Sequence, residues 1–179
     1  MKIVAICGSP RKGNTEFMLR TLLDSAKKAG ADADLILLKD KNIKLCDGCH
    51  ICGGNSGKCS IQDDMDQIRK DVVAADVIVF GSPQYYDAIS GRLKNFIDRL
   101  NPCAGDLKGK KFAFVIAGQL KDSDGEESRK YVSGYLKHLS ELYGMKFIGF
   151  EYGICRNPGE ICKDNDCIDR LNKLGKKLA

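Results

Sequence analysis

KIVAICGSPRKGNTEFMLRTLL, residues 2–23, joins an apolar run to an amphipathic stretch through a loop of small and polar residues. The run at 2–7 is nearly continuous in apolar side chains, as a strand covered on both faces reads. From about Thr15 onward, Phe17, Leu22, Leu23 and Ala26 follow the helical period. A buried strand turning directly into a helix opens a strand–helix–strand unit. The rest of the chain repeats it. Strand-length runs recur as ADLILL at 33–38, DVIVFG at 76–81, KFAFVIAG at 111–118 and KFIGFEYG at 146–153. Helical spacing recurs in Ile68 and Val72, in Leu93, Phe96, Ile97 and Leu100, in Val132, Leu136, Leu139 and Tyr143, and in Ile168, Leu171, Leu174 and Leu178. Five alternations predict an α/β protein: a doubly wound five-stranded parallel sheet with helices on both faces. Ligands bind such sheets outside the carboxyl ends of the strands, where strand order reverses.

The bulk properties narrow the class. A length of 179 residues suits a single domain over 1–179 with a sizeable core. The net charge of +5 is mild and its lysines are dispersed, so no nucleic-acid-binding stripe is indicated. No apolar run reaches the length of a membrane span, and the N-terminal run is too short for a signal peptide. Nine cysteines without an export signal point to a reducing, cytoplasmic setting, where clustered cysteines bind metal or do redox chemistry. An odd number also precludes complete intramolecular pairing.

The loop GSPRKGNT at 8–15 has the spacing of a phosphate-binding loop, with Asn14 where that motif has lysine. A nucleoside triphosphate is thereby disfavoured, but a phosphate monoester is not. Free amides at a helix start face an anion, Ser9, Asn14 and Thr15 add donors, and Arg11 adds charge. The plain alternative is a polar turn with Thr15 as helix cap. After the third strand run, GSPQYYDAISGRLKNFIDRL at 81–100 places Ser82, Pro83, Gln84, Tyr85 and Tyr86 in a short loop before a helix. Such a loop can pack an aromatic against a flat ring while backbone amides meet its polar edge.

Together these two segments resemble the flavodoxin-like NADPH-dependent FMN reductase family. The resemblance implies a flavodoxin-like fold binding FMN. Ser9, Arg11, Gly13, Asn14 and Thr15 would face the phosphate, and Pro83, Gln84, Tyr85 and Tyr86 would line the ring. Ala117, Gly118 and Gln119, after the fourth strand, would complete the pocket.

CDGCHICGGNSGKC at 46–59 holds four cysteines spaced x2, x2 and x6. A disulfide, a zinc ion, an iron–sulfur cluster or nothing could occupy them. A reducing compartment disfavours the disulfide. Zinc usually takes two separate CxxC knuckles, whereas Cys49 is shared by two overlapping ones, and His50 is a further possible ligand. A [4Fe–4S] cluster needs four thiolates, and Gly53, Gly54 and Gly57 suit a chain folding around a bulky group. The cysteine loop follows the second strand, so topology predicts that it lies at the same edge as the flavin loops.

A compact four-cysteine motif in an FMN-reductase-like domain is similar to the iron–sulfur flavoprotein family. That resemblance implies Cys46, Cys49, Cys52 and Cys59 as ligands of one [4Fe–4S] cluster, in a cluster-binding loop at 46–59. It implies electron transfer from a ferredoxin-like donor through cluster and FMN to a small-molecule two-electron acceptor. It also implies a homodimer or homotetramer with each cluster near a neighbouring subunit's flavin. The rival enzyme is an FMN-dependent NAD(P)H oxidoreductase, a quinone or flavin reductase, with structural zinc. A flavin or metal carrier without turnover is a third class. No general-base dyad or catalytic triad stands out, and His138 reads as a surface helix residue. Among the remaining cysteines, Cys7 reads as core and Cys103 as lying at the opposite end of the sheet, out of reach of the three that follow the last strand. Cys155, Cys162 and Cys167 read as free thiols or a local disulfide.

Overall fold

The computed structural model describes residues 1–53, 57–119 and 123–179; Gly54, expected to help the cysteine loop turn, lies outside them. Six strands form one sheet: β1 (Lys2–Cys7), β2 (Asp32–Leu37), β3 (Val77–Tyr85), β4 (Ala88–Ile89), β5 (Lys111–Gly118) and β6 (Lys146–Ile154). Five run parallel in the order β2-β1-β3-β5-β6, and the short β4 pairs antiparallel with β3. The helices are α1 (Asn14–Lys28), α2 (Met65–Ala74), α3 (Gly91–Asp98), α4 (Ser123–Leu142) and α5 (Asn165–Leu178).

The two-residue period of a strand explains the layering. Along β1, Ile3, Ala5 and Cys7 face one core, with Leu19 and Leu22 of α1 and Leu171 and Leu178 of α5. Val4 and Ile6 face the other, with residues of α2, α3 and α4. In that second core Phe80 meets Phe96 and Phe112 edge-on, at centroid distances of 5.6 and 5.0 Å. Each such ring pair contributes about 0.5–1.5 kcal/mol beyond the area it buries. In α1 the apolar residues fully removed from water are Met18, Leu19, Leu22 and Ala26, while the anticipated Phe17 is only partly buried.

Two expectations change. The residues after Gly81 were expected to form a loop, but β3 continues to Tyr85 and turns back into β4, with Tyr85 opposite Ala88. Tyr86 and Asp87 make the two-residue turn with φ of 46° and 61°. Positive φ at both central residues suits the twist of a tight hairpin but strains non-glycine residues. Asp87 is held there by a hydrogen bond from the Ser128 hydroxyl on α4. The added β4 makes the sheet six-stranded rather than five-stranded.

The second correction concerns the cysteine segment. Topology places only the start of this segment at the carboxyl edge of the sheet. From a 3-10 turn at Leu38–Asp40 the chain runs down the outside of α3, which points back toward the amino ends of the strands. Arg92 Nη1 donates to Leu38 O at 3.3 Å, and Asn95 Nδ2 donates to Ile43 O at 3.1 Å. Just past the helix, Arg99 donates from Nη1 to Lys44 O at 2.7 Å and from Nη2 to Ile61 O at 3.2 Å. Its guanidinium also pairs with both oxygens of Asp63, at 2.8 and 3.1 Å. The cysteines are therefore carried away from the loops after β1 and β3, over a helix about 12 Å long at 1.5 Å per residue. Cys103 stands beside this segment. It lines one cavity of about 540 Å³ together with Gly57, Lys58, Cys59, Arg69 and Pro102.

Arg99 and Asp63 have side-chain exposures of 1% and 0%. Burial alone would raise the Asp63 carboxyl. Hydrogen bonds from Arg99 and from the amides of Lys44 and Met65 outweigh it and hold the group below its ordinary value. Its stabilisation is full above about pH 3.9, the unfolded value, and is lost as pH falls through the lower folded value. Removing one partner of a buried pair costs about 3–5 kcal/mol, because the other charge is stranded. Asp63→Asn should accordingly lower stability by about 3 kcal/mol at pH 7, with a smaller gap from the parent at pH 3. Urea denaturation of both proteins at the two pH values measures it; an equal gap at both would contradict this account.

Candidate functional site

The carboxyl ends of β1, β3, β5 and β6 open on one cleft. Its walls include Ser9, Arg11, Gly13, Asn14 and Thr15 from the first loop, and Pro83, Gln84 and Tyr85 from the end of β3. Ala117, Gly118 and Gln119 follow β5. Eleven of the twelve residues singled out in the sequence thus come together. Tyr86 does not join them: it stands fully exposed at the tip of the β3–β4 turn, and Tyr85 is half exposed beside it.

The first loop is shaped for an anion. Helix α1 is capped at Gly13, not at Thr15, and among the described residues no side-chain cap accepts its first-turn amides. The positive end of the helix dipole is therefore available beside Arg11. Ser9 organises the turn: its hydroxyl donates to Arg11 O at 2.8 Å and accepts from Arg11 N at 3.4 Å. The side-chain amide of Asn14 faces a different task. Its Nδ2 donates to Asn157 O at 2.8 Å, and its Oδ1 accepts from Ile161 N at 3.3 Å. Asn14 ties the first loop to the loop after β6.

That last loop supplies residues absent from the sequence-based set: Cys155, Arg156 and Pro158 also line the cleft. The signal for them existed, since they follow a strand at the same edge as the other loops. Arg156 adds a second cation to the lining of the cleft, besides Arg11. Burial raises the Cys155 thiol, with the Asn14 side chain opposing. Cys162 is exposed, and Cys167 is buried against α1. Cys155 and Cys167 thus belong to one buried core, and Cys162 stands outside it.

At the opposite wall, the Gln84 side chain is fixed by three contacts. Its Nε2 donates to Ser128 O at 3.1 Å and to the Ser128 hydroxyl, while its Oε1 accepts from Tyr152 Oη. Tyr152 carries the Arg129 guanidinium over its ring at 5.3 Å. Burial pushes the Tyr152 hydroxyl up to about 12, so it stays a donor at neutral pH. A second cavity, of about 360 Å³, adjoins the cleft across Tyr85 and is walled by Pro10, Leu38, Leu45 and Arg92.

The four clustered cysteines are unpaired. Cys46 and Cys49 are exposed, Cys52 and Cys59 half-buried. Among the described residues no three Cys, His, Asp or Glu side chains converge to metal-binding distance. Polar groups nevertheless sit against the sulfurs. Asn101 Nδ2 donates to Cys52 Sγ at 3.1 Å, Ser60 Oγ lies 3.1 Å from Cys49 Sγ, and the Arg99 guanidinium is within hydrogen-bonding reach of Cys59. By contrast, burial pushes Cys7, Cys103 and Cys167 up to about 11, which leaves them protonated. His138 is exposed, 3.9 Å from Glu141 on α4.

Comparison with known proteins agrees with this architecture. The family model for NADPH-dependent FMN reductase matches residues 1–139. An iron–sulfur flavoprotein of Methanocaldococcus jannaschii is 34% identical over all of this chain and 96% of its own length. A Bacillus subtilis protein described as a putative NAD(P)H-dependent FMN-containing oxidoreductase is 29% identical over 99% of this chain and 98% of its own. Among solved structures, the NAD(P)H:quinone oxidoreductase of Methanothermobacter marburgensis superposes with a TM-score of 0.80 at 17% identity, covering 100% of this chain and 99% of that one; at that identity the likeness concerns the fold. The chain belongs to the NADPH-dependent FMN reductase family, among its iron–sulfur flavoproteins, and is an FMN-dependent oxidoreductase. The family match ends at 139, so Cys155, Arg156 and Pro158 are walls of the cleft that lie beyond it.

Gly118 offers a direct test of the packing of this wall of the cleft. A Cβ there would stand 1.8 Å from Tyr152 Oη and 2.6 Å from Gln84 Oε1. Gly118→Ala should break the Tyr152–Gln84 contact and destabilise the fold by about 1–3 kcal/mol, the usual cost of overpacking. Tyr152→Phe in the same background should recover part of that loss, as thermal denaturation would register.

Proposed function

We propose that this chain is an electron-transfer iron–sulfur flavoprotein that carries FMN in the cleft and one [4Fe–4S] cluster on Cys46, Cys49, Cys52 and Cys59. The observation that carries the reading is the donor set. Four soft, unpaired thiols, none of them on a buried residue, occupy one segment whose two ends are tied to α3. Arg99 Nε, fully buried and unpartnered among the described residues, belongs to the guanidinium that reaches Cys59. Buried donors of this kind suit anionic sulfur. Binding the cluster draws the four sulfurs together between those anchors.

FMN accepts or delivers one or two electrons and a cluster one at a time, so the pair converts single-electron deliveries into a two-electron reduction. The chain's residues supply the rest. Arg11, Arg156 and the open start of α1 hold the phosphate. Pro83, Gln84 and Tyr85 orient the ring, and the amides at Ala117–Gln119 favour negative charge at its polar edge. The donor in this reading is a ferredoxin-like protein and the acceptor a small molecule. Because the cysteines run down α3 away from their own cleft, the shorter electron path favoured here leads to a neighbouring subunit's flavin, in a homodimer or homotetramer. The similarity to the Bacillus oxidoreductase keeps a second reading in view: an NAD(P)H-driven FMN reductase with zinc in place of the cluster.

Iron, zinc, acid-labile sulfide and FMN measured on anaerobically purified protein decide between them. About four iron and four sulfide per protomer are expected, and Cys52→Ala should lose both while keeping its FMN. About one zinc without sulfide would establish the second reading. For the cleft, Arg11→Gln should weaken FMN binding by more than tenfold, since a charged hydrogen bond contributes about 1.5–3 kcal/mol; quenching of flavin fluorescence on adding FMN to apoprotein reports it.

A further inference from the structure

We propose that Asp87, Ser128 and Tyr152 are positioning residues for the flavin ring. With Gln84 they form a one-way chain of hydrogen bonds behind the cleft, and this chain fixes the β3 wall of the cleft against its β5 wall. The proposal rests on the reading of the cleft as the FMN site, and it concerns residues that stand behind the walls of that site.

The direction of the chain follows from its fixed ends. A carboxylate can only accept, so the Ser128 hydroxyl gives its one proton to Asp87. Ser128 Oγ must then accept from Gln84, and the group of Gln84 that faces it is Nε2. The Ser128 carbonyl, 3.1 Å from the same nitrogen, fixes the amide independently, because a carbonyl oxygen also can only accept. Gln84 Oε1 is thereby turned to Tyr152, whose hydroxyl donates to it. Three donors thus point one way, from Tyr152 through Gln84 and Ser128 to the Asp87 carboxylate, and each bond polarises the next. Both protons of Gln84 Nε2 are committed to Ser128, so that nitrogen has none left for a ligand.

Two walls of the cleft depend on this chain. Gln84 stands near the end of β3, paired with Ile89 of β4. Gly118 ends β5, and a Cβ on it would stand 1.8 Å from Tyr152 Oη and 2.6 Å from Gln84 Oε1. The Tyr152–Gln84 bond therefore lies directly against the Gly118 backbone, and the two walls share it as a spacer. The other end of the chain holds the β3–β4 turn. Asp87 has a φ of 61°, a region that non-glycine side chains enter at a cost. Ser128 and Tyr152 are 3% and 8% exposed, so breaking a link leaves buried polar groups unpaired. The chain stops short of the first loop, whose own ties run to Arg11 and Asn157.

Breaking the chain should therefore loosen the ring end of the cleft and leave the phosphate end alone. Ser128→Ala and Tyr152→Phe each remove a link, and Asp87→Gly removes the terminal acceptor while suiting the turn. Each should weaken binding of FMN and of riboflavin, which lacks the phosphate, by the same factor, about threefold to tenfold for one hydrogen bond. The conservative Asp87→Asn keeps an acceptor oxygen on a residue that tolerates positive φ, and should restore binding of both flavins. The measurement is a fluorescence titration of the full-length apoprotein with each flavin, with circular dichroism and the visible absorption band of the bound ring recorded on the same samples. The band should change shape in the three weakened variants and not in Asp87→Asn. Parent-like binding of both flavins by all three variants would overturn the proposal and leave the FMN reading standing. A loss confined to FMN would overturn it too, since the chain would then act at the phosphate end. Parent protein that binds neither flavin would overturn the FMN reading with it. Should Tyr152→Phe fail to fold, the two substitutions at the exposed Asp87 decide the matter.

Discussion

The Ser90 hydroxyl donates to Gly8 O at 2.8 Å and accepts from Leu93 N at 3.2 Å, while Ser90 N donates to Ser82 Oγ at 2.8 Å. These three bonds, all buried, lock the first loop, the end of β3 and the start of α3 to one another. They sit where the order of the sheet reverses between β1 and its two neighbours, β2 and β3. The knot tolerates no side chain at Gly8, where a Cβ would come within 2.6 Å of Leu93 Cβ. Gly8 N in turn bonds Gly81 O at 2.8 Å. The same tripeptide, Gly-Ser-Pro, thus follows β1 at 8–10 and lies within the adjacent β3 at 81–83, the two brought side by side by the pairing of Cys7 with Gly81. The walls of the cleft diverge from this point, and so does the helix that anchors the cysteine segment.

Helix α3 therefore serves both regions. Its first residues close the knot beside the cleft, and its far end, with Arg99, holds the cysteine segment. The two ends differ in their physics. At the start, neutral hydrogen bonds within a close-packed core fix the backbone. At the far end, a fully buried ion pair carries the attachment. Such a pair contributes little net stability against a hydrophobic equivalent but is costly to break on one side. That asymmetry suits an anchor: it specifies one docking geometry for a long irregular segment that has almost no core of its own.

The parallel order, the two-sided core and eleven of the cleft residues were legible because they follow from short-range rules. Strand and helix periods mark the layers, and ligands gather at the carboxyl edge. The course of residues 41–64 was not legible, because it depends on acceptors in the backbone. Lys44 O and Ile61 O have no residue-type signature, and only Asp63 and Arg99 hint at the contact. The extension of β3 was hidden for a related reason. Its turn uses Tyr86 and Asp87 at positive φ, where glycine or asparagine would have announced a hairpin. The hydrogen bond from Ser128 to Asp87 comes from far along the chain. Asn14 was read for its donors, and its actual partners lie 143 and 147 residues away.

Separating the two regions along α3 has an energetic consequence. The sulfur-bearing stretch is exposed and irregular, so ordering it costs about 1–2 kcal/mol of backbone entropy for each residue fixed. Were the stretch to pack on the cleft, that cost would fall on the ring wall and the first loop. Here it falls on contacts that are already formed: Asn95 and Arg99 at the outgoing limb, Asp63 at the returning one. The cleft and the cysteines are thus separate parts of one chain, joined through a short helix whose two ends are fixed by different residues.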